Sequence, residues 1–211
     1  MGIYAERVFP RILNALMDNK ETRRIRARVC APLSGDIVEI GFGTGHNLPF
    51  LPEAVTSLRA IDPMGRGREL AAARLGATSV PVAFVGLDGQ RLPLEDSSAD
   101  AVLCTWTLCS IPDAEAAVRE VRRVLRPGAR FHFVEHGRSP DDGVRRWQDR
   151  LNGLQGRVAG GCSLNRDIPA LIEAGGLTIE HMATYYSKGE PKTHGWTYEG
   201  TAAATASSPS P

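Results

Sequence analysis

The sequence predicts an α/β fold, a mostly parallel sheet with helices on both faces. Three observations lead there. Short apolar segments alternate with helical ones through the middle of the chain, the pattern of a parallel sheet joined by crossover helices. The strand segments are nearly continuous apolar runs rather than alternating ones, as a sheet covered on both faces requires. The first of them ends in a run of glycines, Gly41, Gly43 and Gly45.

The elements follow in order. Residues up to about 30 read as helix, with Val8, Ile12, Leu16 and Met17 at helical spacing and Ile25 and Val29 after them. The basic run Arg23-Arg24-Ile25-Arg26-Ala27-Arg28 reads most simply as that helix's solvated face. Ala31 to Gly35 breaks it. Asp36–Ile40 is a strand, Thr56–Ile61 a second ending at Asp62-Pro63, and Arg66–Leu75 a helix stopped by Gly76. Val80–Val85 is a third strand and Ala101–Thr105 a fourth. Asp113 caps a helix that ends at Arg126-Pro127-Gly128. Arg130–Glu135 is a fifth strand. Val144, Trp147, Leu151, Leu154 and Val158 recur at helical spacing, a stripe that either packs on the sheet or walls a pocket. This divides the chain into a helical cap (1–34), a ligand-binding domain (35–200) and a small, polar, disordered tail (201–211).

Composition narrows the function. The chain has 211 residues, within the roughly 100–200 residues per domain that make one domain the expectation. Its 25 basic and 24 acidic side chains leave a net charge of +1, so phosphate-driven nucleic-acid binding has no global support. Neither a signal-peptide layout nor an apolar run near the ~18–20 residues of a membrane span is present. Cys30, Cys104, Cys109 and Cys162 are too few for a disulfide framework and form no Cys-x-x-Cys pair, and the five histidines are scattered. The expectation is a cytoplasmic protein with no membrane anchor and no metal site.

In sheets of this kind ligands sit beyond the carboxyl ends of the strands, so the residues there carry the chemistry. The glycine spacing is Gly-x-Gly-x-Gly. The dinucleotide fingerprint would place its third glycine at His46, so that fingerprint fails. Asp62, closing the second strand, either accepts the two hydroxyls of a ribose or forms the turn before Pro63. Glycine loop and strand-end acid together favour an adenosine-containing ligand. Asp88 is placed to accept from an adenine amino group, or is simply a loop residue beside Gly89.

These residues also carry a resemblance. Asp36–Asn47, Ala60-Ile-Asp-Pro63, Arg91–Asp100 and Glu120-Val-Arg-Arg-Val-Leu-Arg-Pro-Gly128 resemble the class I S-adenosylmethionine-dependent methyltransferases, type 11 branch. Cys104-Thr-Trp-Thr-Leu-Cys-Ser-Ile111, Phe133–Gly137, Trp147-Gln148 and Gly161–Arg166 resemble the methyltransferase-like family that includes thiol S-methyltransferases. The resemblance implies a Rossmann-like seven-stranded sheet with the last strand antiparallel, and S-adenosylmethionine as cofactor. It places Gly41, Gly43 and Gly45 under the methionine part, Asp62 on the ribose, and Asp88 and Gly89 beside the adenine. Cys104 and Thr105 would line the sulfonium end, and Glu39 would orient the loop or meet the amino group.

Methyl transfer from a sulfonium needs alignment and exclusion of water more than a strong base. A thiol acceptor, with a pKa near ~8.5, asks least of the protein. The resemblance makes a small-molecule thiol the first expectation, with a phenol or other hydroxyl the second. Glu135 and His136, after the fifth strand, are the candidate catalytic residues, against a structural role for Glu135 and a pocket-lining role for His136. His132, inside the strand, reads as a packed histidine, and Cys109 and Cys162 as small buried side chains.

Overall fold

The computed structural model describes residues 14–63 and 65–204. Seven strands form one sheet: β1 (Gly35–Ile40), β2 (Val55–Ile61), β3 (Val82–Gly86), β4 (Ala99–Thr105), β5 (Leu125–His136), β6 (Leu177–Tyr186) and β7 (Trp196–Ala204). Their order is β3-β2-β1-β4-β5-β7-β6, with β7 antiparallel to both of its neighbours. This is the class I methyltransferase architecture, and the chain's path across the sheet reverses between β1 and β4. The carboxyl ends of those two strands therefore border the crevice where such sheets bind ligands.

The helices are α1 (Lys20–Cys30), α2 (Gly65–Leu70), α3 (Ala72–Ala77), α4 (Ala114–Val124), α5 (Asp142–Val158) and α6 (Ile168–Ala174), with a single turn, α7, at Lys192–Gly195. On one face of the sheet, Val118, Val121 and Val124 of α4 and Ile168 and Ile172 of α6 pack against Val102, Phe131 and Phe133. On the other, Ile25, Val29 and Cys30 of α1 pack against Ile37, Leu103 and Val134. Asp113 caps α4 as the sequence predicts, its Oδ1 accepting from the Ala116 N–H at 2.9 Å. The helix expected over 66–75 is two short helices instead.

Three expectations need correction. Arg26 does not lie on a solvated face. Thr22, Ile25, Arg26, Val29 and Cys30 share the buried stripe of α1 at i, i+3, i+4, i+7 and i+8, and Arg26 is only 5% exposed. The apolar stripe of α5 is not buried along its length: Trp147, Leu154 and Val158 are exposed, while Val144 and Leu151 are half-buried. The helix docks instead through Gln148, whose amide donates to the Gly137 and Thr193 carbonyls and accepts from the Ser139 N–H. Finally, residues 201–204 complete β7, so the tail expected from 201 begins later. Residues 1–13 of the expected cap and 205–211 of the tail lie outside the described residues.

His132 is a packed strand histidine, with burial pulling its pKa down to about 4. The unfolded chain takes up a proton near pH ~6.5 that the folded state refuses until about 4. The His132 contribution to stability is therefore present above ~6.5 and lost as pH falls toward 4. Thermal melts of wild type and His132→Gln between pH 4 and 7 should show a shallower acid-side fall in Tm for the variant.

Candidate functional site

The turn after β1 is built on backbone freedom. Gly41, Gly43 and Gly45 all have positive φ, at 78°, 55° and 75°, a region that costs other L-residues strain. Their surroundings differ. A Cβ on Gly41 would lie 1.9 Å from Thr107 Oγ1, so the loop touches the segment after β4 there. A Cβ on Gly43 would meet nothing closer than 4.0 Å, so its outer side is open. Asp62, at the end of β2, accepts the Gly43 N–H through Oδ2 at 2.6 Å and ties the two strand ends together.

Beneath the loop lies a buried polar network. Glu39, only 1% exposed, accepts from Asn47 Nδ2 at 2.7 Å through Oε1. Asn47 Oδ1 accepts from Arg26 Nη1 at 2.7 Å. Thr105 Oγ1 accepts from both Arg26 Nη1 and Asn47 Nδ2, each at 3.0 Å. Burial pulls the Arg26 pKa down to about 10, leaving it cationic at neutral pH. Burial pushes the Glu39 carboxyl up to about 8, against the pull of Asn47 and Arg26. Glu39 Oε2 is buried without a hydrogen-bond partner, which such an atom tolerates only at a cost unless a ligand or water meets it. Arg26 also lies 4.8 Å from the centroid of the Trp106 ring, whose backbone φ of 51° turns it out of β4.

The fifth strand ends in Glu135 and His136. Glu135 is fully buried, and its Oε1 accepts from the Thr107 and Leu108 N–H groups and from the Cys104 thiol. Burial raises its pKa and those backbone donors oppose the rise. Here the structural role fits: Glu135 holds the loop after β4 in place. His136 Nε2 lies 3.1 Å from Cys162 Sγ. Burial depresses its basicity, but Cys162, Glu135 and Glu190 together turn the net shift upward.

The remaining sequence candidates fall around this centre. Cys104 and Thr105 are both buried and spend their side chains inside the protein, on Glu135 and on the Arg26–Asn47 pair. Asp88 is held in its own loop, accepting from the Gln90 backbone and side-chain N–H groups, which lower its pKa. It lines an open cleft with Gly86, Leu87 and Arg91. A Cβ on Gly89 would press to 2.9 Å from Ile40 Cγ2, so that loop packs directly on the end of β1. Sequence reasoning missed Arg26, Asn47 and Trp106. For Arg26 the helical phase with Ile25 and Val29 was the available signal.

The arrangement defines the class: a Rossmann-like sheet of the methyltransferase type, with a glycine loop, a strand-end acid and a buried carboxyl at its topological switch. Comparison narrows it further. A family model described as a methyltransferase domain matches residues 38–133. Human thiol S-methyltransferase TMT1A is 31% identical over 162 residues, which cover 69% of this chain and 62% of that protein. Human thiol S-methyltransferase TMT1B is 32% identical over 144 residues, 62% of this chain and 55% of that protein. The matched part is thus less than two thirds of the length of either relative. Among solved structures, an S-adenosylmethionine-dependent methyltransferase from Mesorhizobium loti superposes with a TM-score of 0.66 at 18% identity, covering 89% of this chain and 99% of that one. The [4+2]-cyclase SpnF superposes at 0.62 with 23% identity, covering 77% and 59%. Among the described residues no helix is long and apolar enough to cross a membrane.

Two glycine substitutions separate packing from openness. Gly41→Ala should destabilise severely, because strain and a clash with Thr107 coincide. Gly43→Ala should cost only about 1–2 kcal/mol of backbone strain. Urea unfolding of the two variants checks the contrast.

Proposed function

We propose that this chain is an S-adenosylmethionine-dependent methyltransferase acting on a small-molecule acceptor, with a thiol as the first choice. The observation that carries the reading is the open side of Gly43, with Asp62 bonded to its N–H and the orphaned Oε2 of Glu39 buried beneath the loop. A cofactor with an ammonium group, a ribose and a sulfonium fits that donor and acceptor set. In this reading the glycine backbone lies under the methionine part, Asp62 holds the ribose hydroxyls, and Asp88 and Gly89 flank the adenine. Glu39 Oε2 takes the ammonium, whose charge favours the ionised carboxylate that burial otherwise suppresses. The cofactor supplies an activated methyl group, and the protein's part is to bind, align and exclude water.

The thiol preference is supported by the named relatives, both thiol S-methyltransferases, and by the weak demands of that chemistry. A thiol is partly ionised near neutral pH, so no strong base is required. This suits an end of β5 where Glu135 is committed to backbone N–H groups and only His136 remains as a base. No nucleic-acid partner is part of the reading, since the net charge is +1. A cytoplasmic location is proposed with it.

Release of S-adenosylhomocysteine from the purified chain should be seen with alkyl thiols and thiophenols and be much weaker with the matching alcohols and phenols. Turnover of the oxygen acceptors alone would replace the thiol reading with O-methylation, and no turnover despite cofactor binding would point to a silent binder. Separately, Asp62→Ala should remain folded and lose at least about tenfold in cofactor affinity by calorimetry, or about 1.4 kcal/mol. Unchanged affinity in the folded variant would sink the ribose assignment.

A further inference from the structure

Two cysteines and the candidate base His136 cluster at the ends of β4 and β5. Cys109 sits in the 3-10 turn after β4, His136 is the last residue of β5, and Cys162 follows α5. They are 27 and 26 positions apart in the chain, so no ligand-spacing motif joins them. In the fold, both sulfurs and an imidazole nitrogen lie within 4.8 Å of one another.

The surrounding structure holds them there. The Ser163 N–H donates to the Cys109 carbonyl at 2.9 Å, so the two cysteine-bearing segments are stapled backbone to backbone. Gly160 and Gly161 turn the chain into that position with φ of 62° and 89°. Arg166 adds a bond to the Ile111 carbonyl at 3.0 Å. His136 is fixed by strand pairing with β7, opposite Thr197. Its Nδ1 is buried without a hydrogen-bond partner, and the charge of Glu190, an exposed side chain, acts on the ring.

We propose that Cys109, Cys162 and His136 form a binding site for a soft divalent cation of the zinc class. Two sulfurs and one imidazole are a donor set that such ions favour. A tetrahedral zinc holds its donors about 3.5–3.8 Å apart, from Zn–S and Zn–N distances of about 2.3 and 2.0 Å. The widest separation, within 4.8 Å, has to close by about 1 Å, while His136 Nε2 and Cys162 Sγ, now 3.1 Å apart, have to part by about 0.4 Å if Nε2 is the ligand. Charge favours the arrangement as well. Two buried thiolates alone would be costly, whereas two thiolates, a neutral imidazole and a divalent cation sum to zero. Three protein donors leave a fourth position for water or an exogenous soft ligand. Ion binding releases the two thiol protons to solvent, and neither redox change nor a covalent step on carbon is involved. The evidence for the site is these side chains and not the methyltransferase reading, although an ion bound here would occupy His136, the base which that reading names.

The test uses the reduced, full-length chain, stripped with a chelator and titrated with zinc alone. One zinc should bind per chain, with about two protons released as read by calorimetry in buffers of different ionisation enthalpy. Bound cadmium should give a thiolate-to-metal charge-transfer absorption. Cys109→Ser and Cys162→Ser should each weaken zinc binding beyond the roughly 10–100-fold lost with an outer-shell partner, while Cys30→Ala should not. Should either serine variant fail to fold, the wild-type chain still decides. Zinc must then protect Cys109 and Cys162 from alkylation, read by peptide mapping. No stoichiometric zinc binding, affinity indifferent to both serine variants, or unprotected thiols at saturating zinc would overturn the proposal.

Discussion

The upper edge of the sheet depends on one amide. Asn47 meets a buried cation and a buried acid at once: its oxygen accepts from Arg26 and its nitrogen donates to Glu39. Desolvating a guanidinium and a carboxyl costs several kcal/mol for each ion, even after relaxation. That cost is tolerable only because Asn47 and Thr105 supply the missing partners. Through these contacts α1, the glycine loop and the end of β4 are held as a unit. The loop's positions follow: Gly41 against Thr107, Gly43 facing outward, and Asp62 bonded to its N–H.

A second brace mirrors the first across β4. Glu39 on β1 and Glu135 on β5 flank that strand in the sheet order. Both are buried, both have raised pKa values, and each uses one carboxyl oxygen while the other finds no partner. Their duties differ. Glu39 holds a side-chain network beneath the glycine loop, whereas Glu135 gathers the backbone N–H groups of the loop after β4. Carboxylates that look alike at neighbouring strand ends thus fix two different loops, and the crevice between those loops has walls with little freedom to shift.

Much of this was legible in the sequence where the signal was short-range. An apolar strand, the glycines that follow it and an acid at the next strand end are local patterns, and the sheet rule places them together. The fold class, the seven strands and the antiparallel final strand all agree with the structure. The misses share a physical cause, which is that a side chain's setting depends on partners far away in the chain. Arg26 sits in a basic run that looks solvated, and only its phase with Ile25 and Val29 marks it as buried. Asn47 has no motif of its own, and its partners lie 21, 8 and 58 positions away. The α5 stripe misled for the opposite reason: a polar residue, Gln148, docks the helix and leaves Trp147, Leu154 and Val158 exposed. Nor does spacing join Cys109, His136 and Cys162. Their convergence follows from β4 and β5 being neighbours and from a glycine turn at 160–161.

The same fold serves a [4+2]-cyclase as well as methyltransferases, so the sheet alone does not choose the chemistry. In this chain the choice rests with the two halves of the upper edge. The half around β1 and β2 offers oxygen acceptors and open backbone, suited to a cationic, hydroxyl-bearing ligand. The half around β4 and β5 offers two sulfurs and an imidazole. Glu135, which stands between them, is spent on backbone N–H groups and leaves no free strong base. The acceptor proposed above, a thiol, is the kind that asks for no such base, since it is partly ionised near neutral pH.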